Sequence, residues 1–211
     1  MRSRLIAARL LLPLLTVACQ NEGKPPPPPA SNAGQAADAA LGVLRQLVTP
    51  QNYRGMGFDS IDQVSRAQLG APLAVSNIGL DRLKQYQPSA DPATLLVPSN
   101  EAVYPVVVDG TVKSSLTIIR KGNGYVPAAF GNGDLSKRLG RYRQAAGADA
   151  FIVRVPALNL YFLGHRAAEG LFLTPVVSDP RLKLAEGRPQ SANQVLAQLV
   201  PIARAYNGLP L

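Results

Sequence analysis

The sequence predicts an α+β fold, in which a mostly antiparallel, four- to five-stranded meander sheet carries helices packed on one face. Three observations predict it. Apolar residues recur at helical spacing near both ends of the body and once in its middle. Strand-like alternation fills most of residues 103–177, and the connections between these strands are short.

The body begins with helical patterns. Residues 36–48 place alanines and leucines on one stripe, and a helix is expected there. Ser60-Ile61-Asp62-Gln63 has the spacing of a capping box, and Gly70 suits the end of the helix that would follow. The apolar residues 71–78 predict a strand, and a short helix is expected before Pro88.

The clearest strand signal is a hairpin. Residues 103–108 and 111–120 flank Asp109-Gly110, a pair that is typical of two-residue hairpin turns. A second turn, Lys121-Gly122-Asn123-Gly124, leads into a strand over 125–130. Asp134–Ala146 then carries an apolar helical stripe that ends at Gly147, which predicts a helix inserted between strands.

Residues 151–162 change the parity of their alternation. Apolar residues occupy odd positions up to Val155 and even positions from Leu158, so one extra residue has to be absorbed between them. We predict one strand with a β-bulge at Pro156-Ala157. A last strand is expected over 171–177. A terminal helix opening at Ser191 is expected to be kinked by Pro201.

The first nineteen residues form a separate unit. Arg2, Arg4 and Arg9 precede an apolar run from Leu10 to Val17, which is too short to span a bilayer but fits an export signal. The segment Leu15-Thr16-Val17-Ala18-Cys19 resembles the lipobox of bacterial lipoproteins. The resemblance implies cleavage before Cys19, a diacylglycerol thioether on its sulfur and an acyl chain, such as palmitate, on the new amine.

The resemblance also implies a location. Gln20, and not Asp, follows the cysteine, which in two-membrane bacteria implies the outer membrane, facing the periplasm. Five consecutive prolines, Pro25–Pro29, then predict a polyproline II spacer about 15 Å long. We therefore divide the chain into a signal peptide (1–18), a lipidated cysteine with a proline-rich tether (19–35) and one α+β domain (36–211).

Charge indicates an anionic partner. The chain has 22 Lys+Arg, 13 Asp+Glu and a net charge of +9, and loss of the three arginines of the signal leaves about +6 on the body. A basic cluster is expected along the hairpin and the inserted helix, consisting of Lys113, Arg120, Lys121, Lys137, Arg138, Arg141 and Arg143. It predicts contact with lipid headgroups, an anionic envelope polymer or an envelope protein; the alternative is a solvated helix face.

Catalytic candidates are few. One Cys and one His exclude a disulfide framework and a zinc site built only from Cys and His within one chain. His165 is the single candidate general base, and a serine triad would need it to meet a serine and an acid such as Asp149 or Asp179. The Gly-Asn-Gly segments read as turns and not as phosphate loops. No cofactor or metal is expected, and nucleic acid is not an expected partner outside the cytoplasm.

The sequence thus predicts a membrane-anchored lipoprotein whose domain binds or helps assemble a partner at the envelope, without catalysis. Two alternatives remain open. One is an envelope hydrolase that uses His165. The other is a carrier of an apolar ligand in a cavity between sheet and helix, which the apolar run Leu158–Leu163 suggests.

Overall fold

The structure, a computed structural model, describes residues 31–208. Within this range the α-helices are α1 (Ala33–Leu47), α2 (Leu80–Gln85), α3 (Gly133–Ala146) and α4 (Ala192–Ala205). α1 begins earlier than the predicted residue 36 because Asn32 caps it: Asn32 Oδ1 accepts a hydrogen bond from the Gln35 N–H at 2.9 Å. The predicted Asp134–Ala146 helix and the terminal helix are confirmed as α3 and α4, and α4 continues through Pro201.

The strands of the described range form one nine-stranded sheet. They are β1 (Gln68–Leu69), β2 (Leu73–Ile78), β3 (Leu96–Val108), β4 (Thr111–Lys121), β5 (Gly124–Phe130), β6 (Phe151–Val155), β7 (Leu160–Ala167), β8 (Gly170–Pro175) and β9 (Gln190–Ser191). Their order is β5-β4-β3-β2-β6-β7-β8-β9, and β1 also pairs with β3. β2 and β6 run parallel, whereas the other pairs are antiparallel. Two antiparallel meanders thus meet at a parallel central pair.

The α+β class and the mostly antiparallel sheet are confirmed, but the predicted number of four to five strands is too small. β3 begins at Leu96 and not at Val103, because its polar first half pairs with β2. That pairing is tertiary and leaves no local pattern. β1 and β9 have two residues each, too few for an alternation to be recognised.

The predicted bulge at Pro156-Ala157 is wrong, since the chain reverses there. β6 ends at Val155, a 3-10 turn covers Pro156–Leu158, and Asn159 takes a left-handed conformation with φ of 51° before β7 begins. Val155 pairs with Leu160 and Phe151 with Gly164 across the resulting hairpin. The change of parity in the sequence therefore marks a turn between two strands.

Helices lie on both faces of the sheet, which corrects the expectation of a single covered face. Leu116 and Ile118 of β4 pack in one apolar core with α1, whereas Ser115, which points the other way, contacts Ser136 of α3. In the second meander, Val153 and Phe162 share a core with α4. Their neighbours in the strands share a core with Leu139 of α3. α3 is therefore alone on its face among the four helices named.

Two turns of the sheet are as predicted. Asp109 and Gly110 have φ angles of 50° and 77° between β3 and β4, as a type I′ hairpin requires. β4 and β5 are joined through Gly122-Asn123, and Gly122 has φ of 60°.

In residues 31–208, none of the helices has the length and apolar character to cross a membrane.

Candidate ligand-binding cleft

A cleft opens where the first turn of α3 faces the β6–β7 hairpin and the loop that follows β8. Its larger part, which we name the apolar cavity, has a volume of about 530 Å³. That volume lies within the ~300–1,000 Å³ of small-molecule sites. Its lining residues are Asn132, Leu135, Ala157, Leu158, Asn159, Leu160, Tyr161, Phe162, Pro175, Val177, Ser178, Asp179 and Leu184.

Five of the thirteen residues that line the apolar cavity belong to the run that suggested a carrier. Leu158–Phe162 contributes one wall, and Leu158 and Phe162 belong to the buried core behind it. Val177 also lines the cavity and is 55% exposed. An apolar ligand in the cavity would cover part of this exposed side chain.

A smaller space, which we name the polar cavity for the Arg154 side chain in its otherwise mostly apolar lining, adjoins the first. Its volume is about 200 Å³, and it shares Asn132, Leu135 and Tyr161 with the apolar cavity. Thr117, Val103 and Arg154 from three strands lie on its walls. We name the two together the cleft, which leads from the loop after β8, past Tyr161, to the guanidinium of Arg154.

Arg154 is the charged centre of the polar cavity. It lies in register with Asn77 of β2 and with Tyr161 of β7. Its Nε donates to Asn77 Oδ1 at 3.2 Å and its Nη2 to Glu101 Oε1 at 2.6 Å. The side chains of Arg154 and Glu101 are each 23% exposed, so the ion pair is fixed by neighbouring strands and still reachable from the cleft.

The rim beside α3 is held by buried hydroxyl groups. Ser115 Oγ donates to the Gly131 carbonyl at 2.8 Å, and Ser136 Oγ lies 2.8 Å from Ser115 Oγ. The Gly131 N–H in turn donates to the Ser115 carbonyl at 3.0 Å. These contacts fix the turn in which Asn132 adopts a φ of 63°, and Asn132 lines both cavities.

The wall formed by the loop after β8 is fastened to α3. Arg138 and Tyr142 both donate hydrogen bonds to the Glu186 carboxylate, and the Glu186 N–H donates to Ser178 Oγ at 2.9 Å. The Tyr142 hydroxyl, followed by Arg138, holds the pKa of Glu186 below its usual value. Burial and the bond to Glu186 raise the pKa of Tyr142.

The structure divides the predicted basic cluster. Lys113 and Arg120 stand at opposite ends of β4, about 24 Å apart at ~3.4 Å per residue. Lys113 Nζ lies 2.5 Å from Asp59 Oδ2, and Lys137 Nζ lies 3.9 Å from Asp59 Oδ1. The hydrogen bonds from Lys113 and then Gln63 hold the pKa of Asp59 below its usual value. Arg141 lines the same groove as Lys113, Lys137 and Asp59.

The remaining members of that cluster have different environments. Arg138 binds Glu186, and Arg143 donates to the backbone carbonyls of Ala71, Pro72 and Ala148, so both fasten loops to α3. Arg120 and Lys121 are exposed at the β4–β5 turn. Neither they nor Arg141 forms an ion pair within residues 31–208.

His165 is not joined to a catalytic partner. Its ring stacks on Phe172, with centroids 5.4 Å apart and planes at 16°. Its Nδ1 is buried without a hydrogen-bond partner, so in the described part of the chain no carboxylate orients the imidazole as a triad requires. Groups of three or more His, Cys, Asp or Glu with metal-binding geometry are absent from the same residues.

Sequence reasoning missed the polar half of the cleft. Arg154 is the single charged residue in the apolar segment Phe151–Val155, and that interruption was the available signal. Its partners Asn77 and Glu101 are distant in sequence and adjacent only through strand pairing. Cys19, the predicted lipidation site, lies outside the described residues, as do the signal peptide and the proline tract.

Comparisons with known proteins add no relative: no family model, no curated protein and no solved structure matches the chain.

Proposed function

We propose that the chain is a bacterial envelope lipoprotein, anchored through lipid on Cys19, whose domain binds a small apolar molecule in the cleft. The observation that carries the binding activity is the apolar cavity, which is of ligand size and is lined by Leu158–Phe162. The anchor rests on the lipobox resemblance. Gln20 after the cysteine supports attachment to the outer membrane on its periplasmic side.

The two parts of this proposal complement each other. Three acyl chains exceed the two membrane signals that stable anchoring needs, at about 0.8 kcal/mol per buried methylene. An anchored domain with an apolar site can take up molecules that partition poorly into water and stay beside the membrane. The positive charge of the body would favour an anionic envelope surface.

Mass spectrometry and fractionation test the anchor. The native protein should have lost residues 1–18 and gained the mass of a diacylglyceryl group and one acyl chain on Cys19. Cys19→Ser should leave the protein outside the membrane fraction in mature form or retain the signal peptide. A native chain that still carries its first eighteen residues, unmodified at Cys19, would contradict this part.

Extraction of bound molecules tests the binding site. The full-length protein is purified from membranes, and organic extracts are compared between Val177→Ser and Val97→Ser. Both valines are substantially exposed, at 55% and 40%, but Val97 is not among the residues that line either cavity. We expect Val177→Ser to lose the bound molecule and Val97→Ser to retain it. Equal recovery from both variants, or none from the unaltered protein, would count against the cleft.

The hydrolase alternative is distinguished by His165. Binding is favoured because the buried Nδ1 has no hydrogen-bond partner among residues 31–208. His165→Ala should leave any turnover of ester or cell-wall substrates unchanged. Loss of such turnover in a variant that still folds would instead favour the hydrolase.

A further inference from the structure

The polar cavity contains Arg154, and the charge of this residue indicates which chemical group of the ligand would bind there. Arg154 Nε and Nη2 already donate to Asn77 and Glu101. Within residues 31–208, its Nη1 and the Thr117 hydroxyl have no hydrogen-bond acceptor. Arg154 and Thr117 both line this cavity, so this end of the cleft offers hydrogen-bond donors to a ligand.

A carboxylate suits these donors better than a phosphate. A guanidinium binds either anion through charge-assisted hydrogen bonds, which are about twice as strong as neutral ones. Glu101 remains beside Arg154, at 2.6 Å from Nη2. Its charge repels any anion in the cavity, and it repels a doubly charged phosphate more than a singly charged carboxylate.

The other end of the cleft suits a hydrocarbon chain. Leu135 and Tyr161 lie at the junction of the two cavities. Beyond them Leu158, Leu160 and Leu184 line the apolar cavity. A chain that starts at Arg154 would thus pass Tyr161 and cover Val177.

We propose that the cleft binds a long-chain monocarboxylate, such as a free fatty acid, with its carboxylate on Arg154 and its chain in the apolar cavity. The proposal rests on the proposed function of the cleft and adds the class of ligand. In this arrangement Arg154 attracts the carboxylate of the ligand, and the negative charge of Glu101 lowers the affinity for it.

Photolabelling tests the proposal on the full-length lipoprotein reconstituted in vesicles. Two probes are used: a long-chain fatty acid with a diazirine in its chain, and the primary alcohol of the same length. Labelled residues are mapped by mass spectrometry at several probe concentrations. We expect the acid to label the apolar cavity with at least tenfold preference over the alcohol. A tenfold preference corresponds to a difference of ~1.4 kcal/mol in binding free energy.

Substitutions at the ion pair should act in opposite directions. Arg154→Met keeps an unbranched side chain without donors, and it should lower labelling by the acid about tenfold while leaving the alcohol unchanged. Glu101→Gln keeps the shape and the hydrogen bond but removes the charge, and it should raise labelling by the acid severalfold. Arg120→Met, at an exposed arginine outside the cleft, should change neither probe.

The outcomes separate the two proposals. Equal labelling of the cavity by acid and alcohol, insensitive to Arg154→Met, would overturn the carboxylate assignment and keep an apolar site. Failure of both probes to label the cavity, with Val177→Ser identical to Val97→Ser, would overturn the site itself. Thermal unfolding of each variant identifies any loss that comes from misfolding, and Glu101→Gln keeps the test decisive because it predicts a gain.

Discussion

Tyr142 and Glu186 join the middle of α3 to the loop after β8 through one hydrogen bond. The phenol donates to Glu186 Oε1, and Arg138, one helical turn earlier, donates to Glu186 Oε2. The bond stabilises the charged carboxylate and the neutral phenol together. It therefore lowers the pKa of Glu186 and, with burial, raises that of Tyr142. One wall of the apolar cavity depends on this pair.

Glu186→Gln should lower the free energy of unfolding at neutral pH by about 1 kcal/mol. Because the pKa of Glu186 is lowered from 4.5 in the folded chain, its contribution is complete above that value and is lost as pH falls through the folded pKa. Urea unfolding at a series of pH values from 7 downwards measures this, and the difference between the two proteins should shrink as the pH falls.

The matched control for this prediction is Glu169→Gln. Glu169 is exposed and has no ion pair within the described range. The stability of the Glu169→Gln variant should therefore follow that of the unaltered protein at every pH. Tyr142→Phe should show the opposite dependence. The pKa of Tyr142 is raised in the folded chain. Its contribution to stability is therefore complete below the pKa of tyrosine in the unfolded chain, and it is lost as pH rises through the pKa in the folded chain. A pH-independent loss in Glu186→Gln would contradict the assignment.

Three glycines should respond to alanine in a graded way. Gly57 has a φ of +100°, and a Cβ there would lie 2.0 Å from the Lys113 carbonyl oxygen. Gly57→Ala should therefore destabilise the fold by more than about 3 kcal/mol. Gly110 has a φ of +77° with nothing within 4 Å, so its alanine variant should lose only ~1 kcal/mol.

Gly42→Ala should change the free energy of unfolding in the opposite direction. Gly42 lies inside α1, and a Cβ there would meet nothing within 4 Å, so Gly42→Ala should gain up to ~1 kcal/mol. Chemical unfolding of the three variants gives the order. Similar values for Gly57→Ala and Gly110→Ala would show that the close approach of residue 57 to β4 is absent in solution.

Ser115 and Ser136 should contribute unequally to the rim of the cleft. Ser115→Ala removes the donor to the Gly131 carbonyl and should cost about 1–2 kcal/mol, because a buried acceptor then loses this hydrogen bond. Ser136→Ala should cost less, since Ser115 still donates to Gly131 and Ser136 Oγ also lies 2.8 Å from the Asn132 carbonyl of its own helix. Unfolding in urea measures both, and a larger loss in Ser136→Ala would contradict the assigned direction of the bonds.

Local patterns predicted local structure well. The Asp109-Gly110 turn, the helix from 134 to 146 and the terminal helix each follow from residues within one element, where conformational preference and periodicity act over short distances. The polar start of β3 and the two short strands at residues 68 and 190 follow instead from pairing with distant segments. Single-chain periodicity does not encode such pairing.

The cleft was predictable only in part for the same reason. The run Leu158–Leu163 suggested an apolar site, and part of it lines the apolar cavity. The basic residues shared one stretch of sequence, but the length of β4 separates Arg120 from Lys113. Arg154 pairs with Glu101, which is 53 positions away in the sequence, and no spacing in the sequence predicts that contact.

Asp59 neutralises the basic groove at the start of β4. Its carboxylate lies 2.5 Å from Lys113 and 3.9 Å from Lys137, so two of the lysines that were expected to bind an anionic surface already have a partner. Asp59→Asn should free both and raise the salt concentration that elutes the detergent-solubilised protein from a polyanion column. Asp62→Asn adds the same net charge at an exposed site outside the groove and should raise it less, because elution then reports net charge alone. Equal elution of the two variants would mean that the groove makes no local contact with anions. Lowering the pH should reproduce Asp59→Asn only below the usual range of aspartate, because Lys113 holds the pKa of Asp59 down.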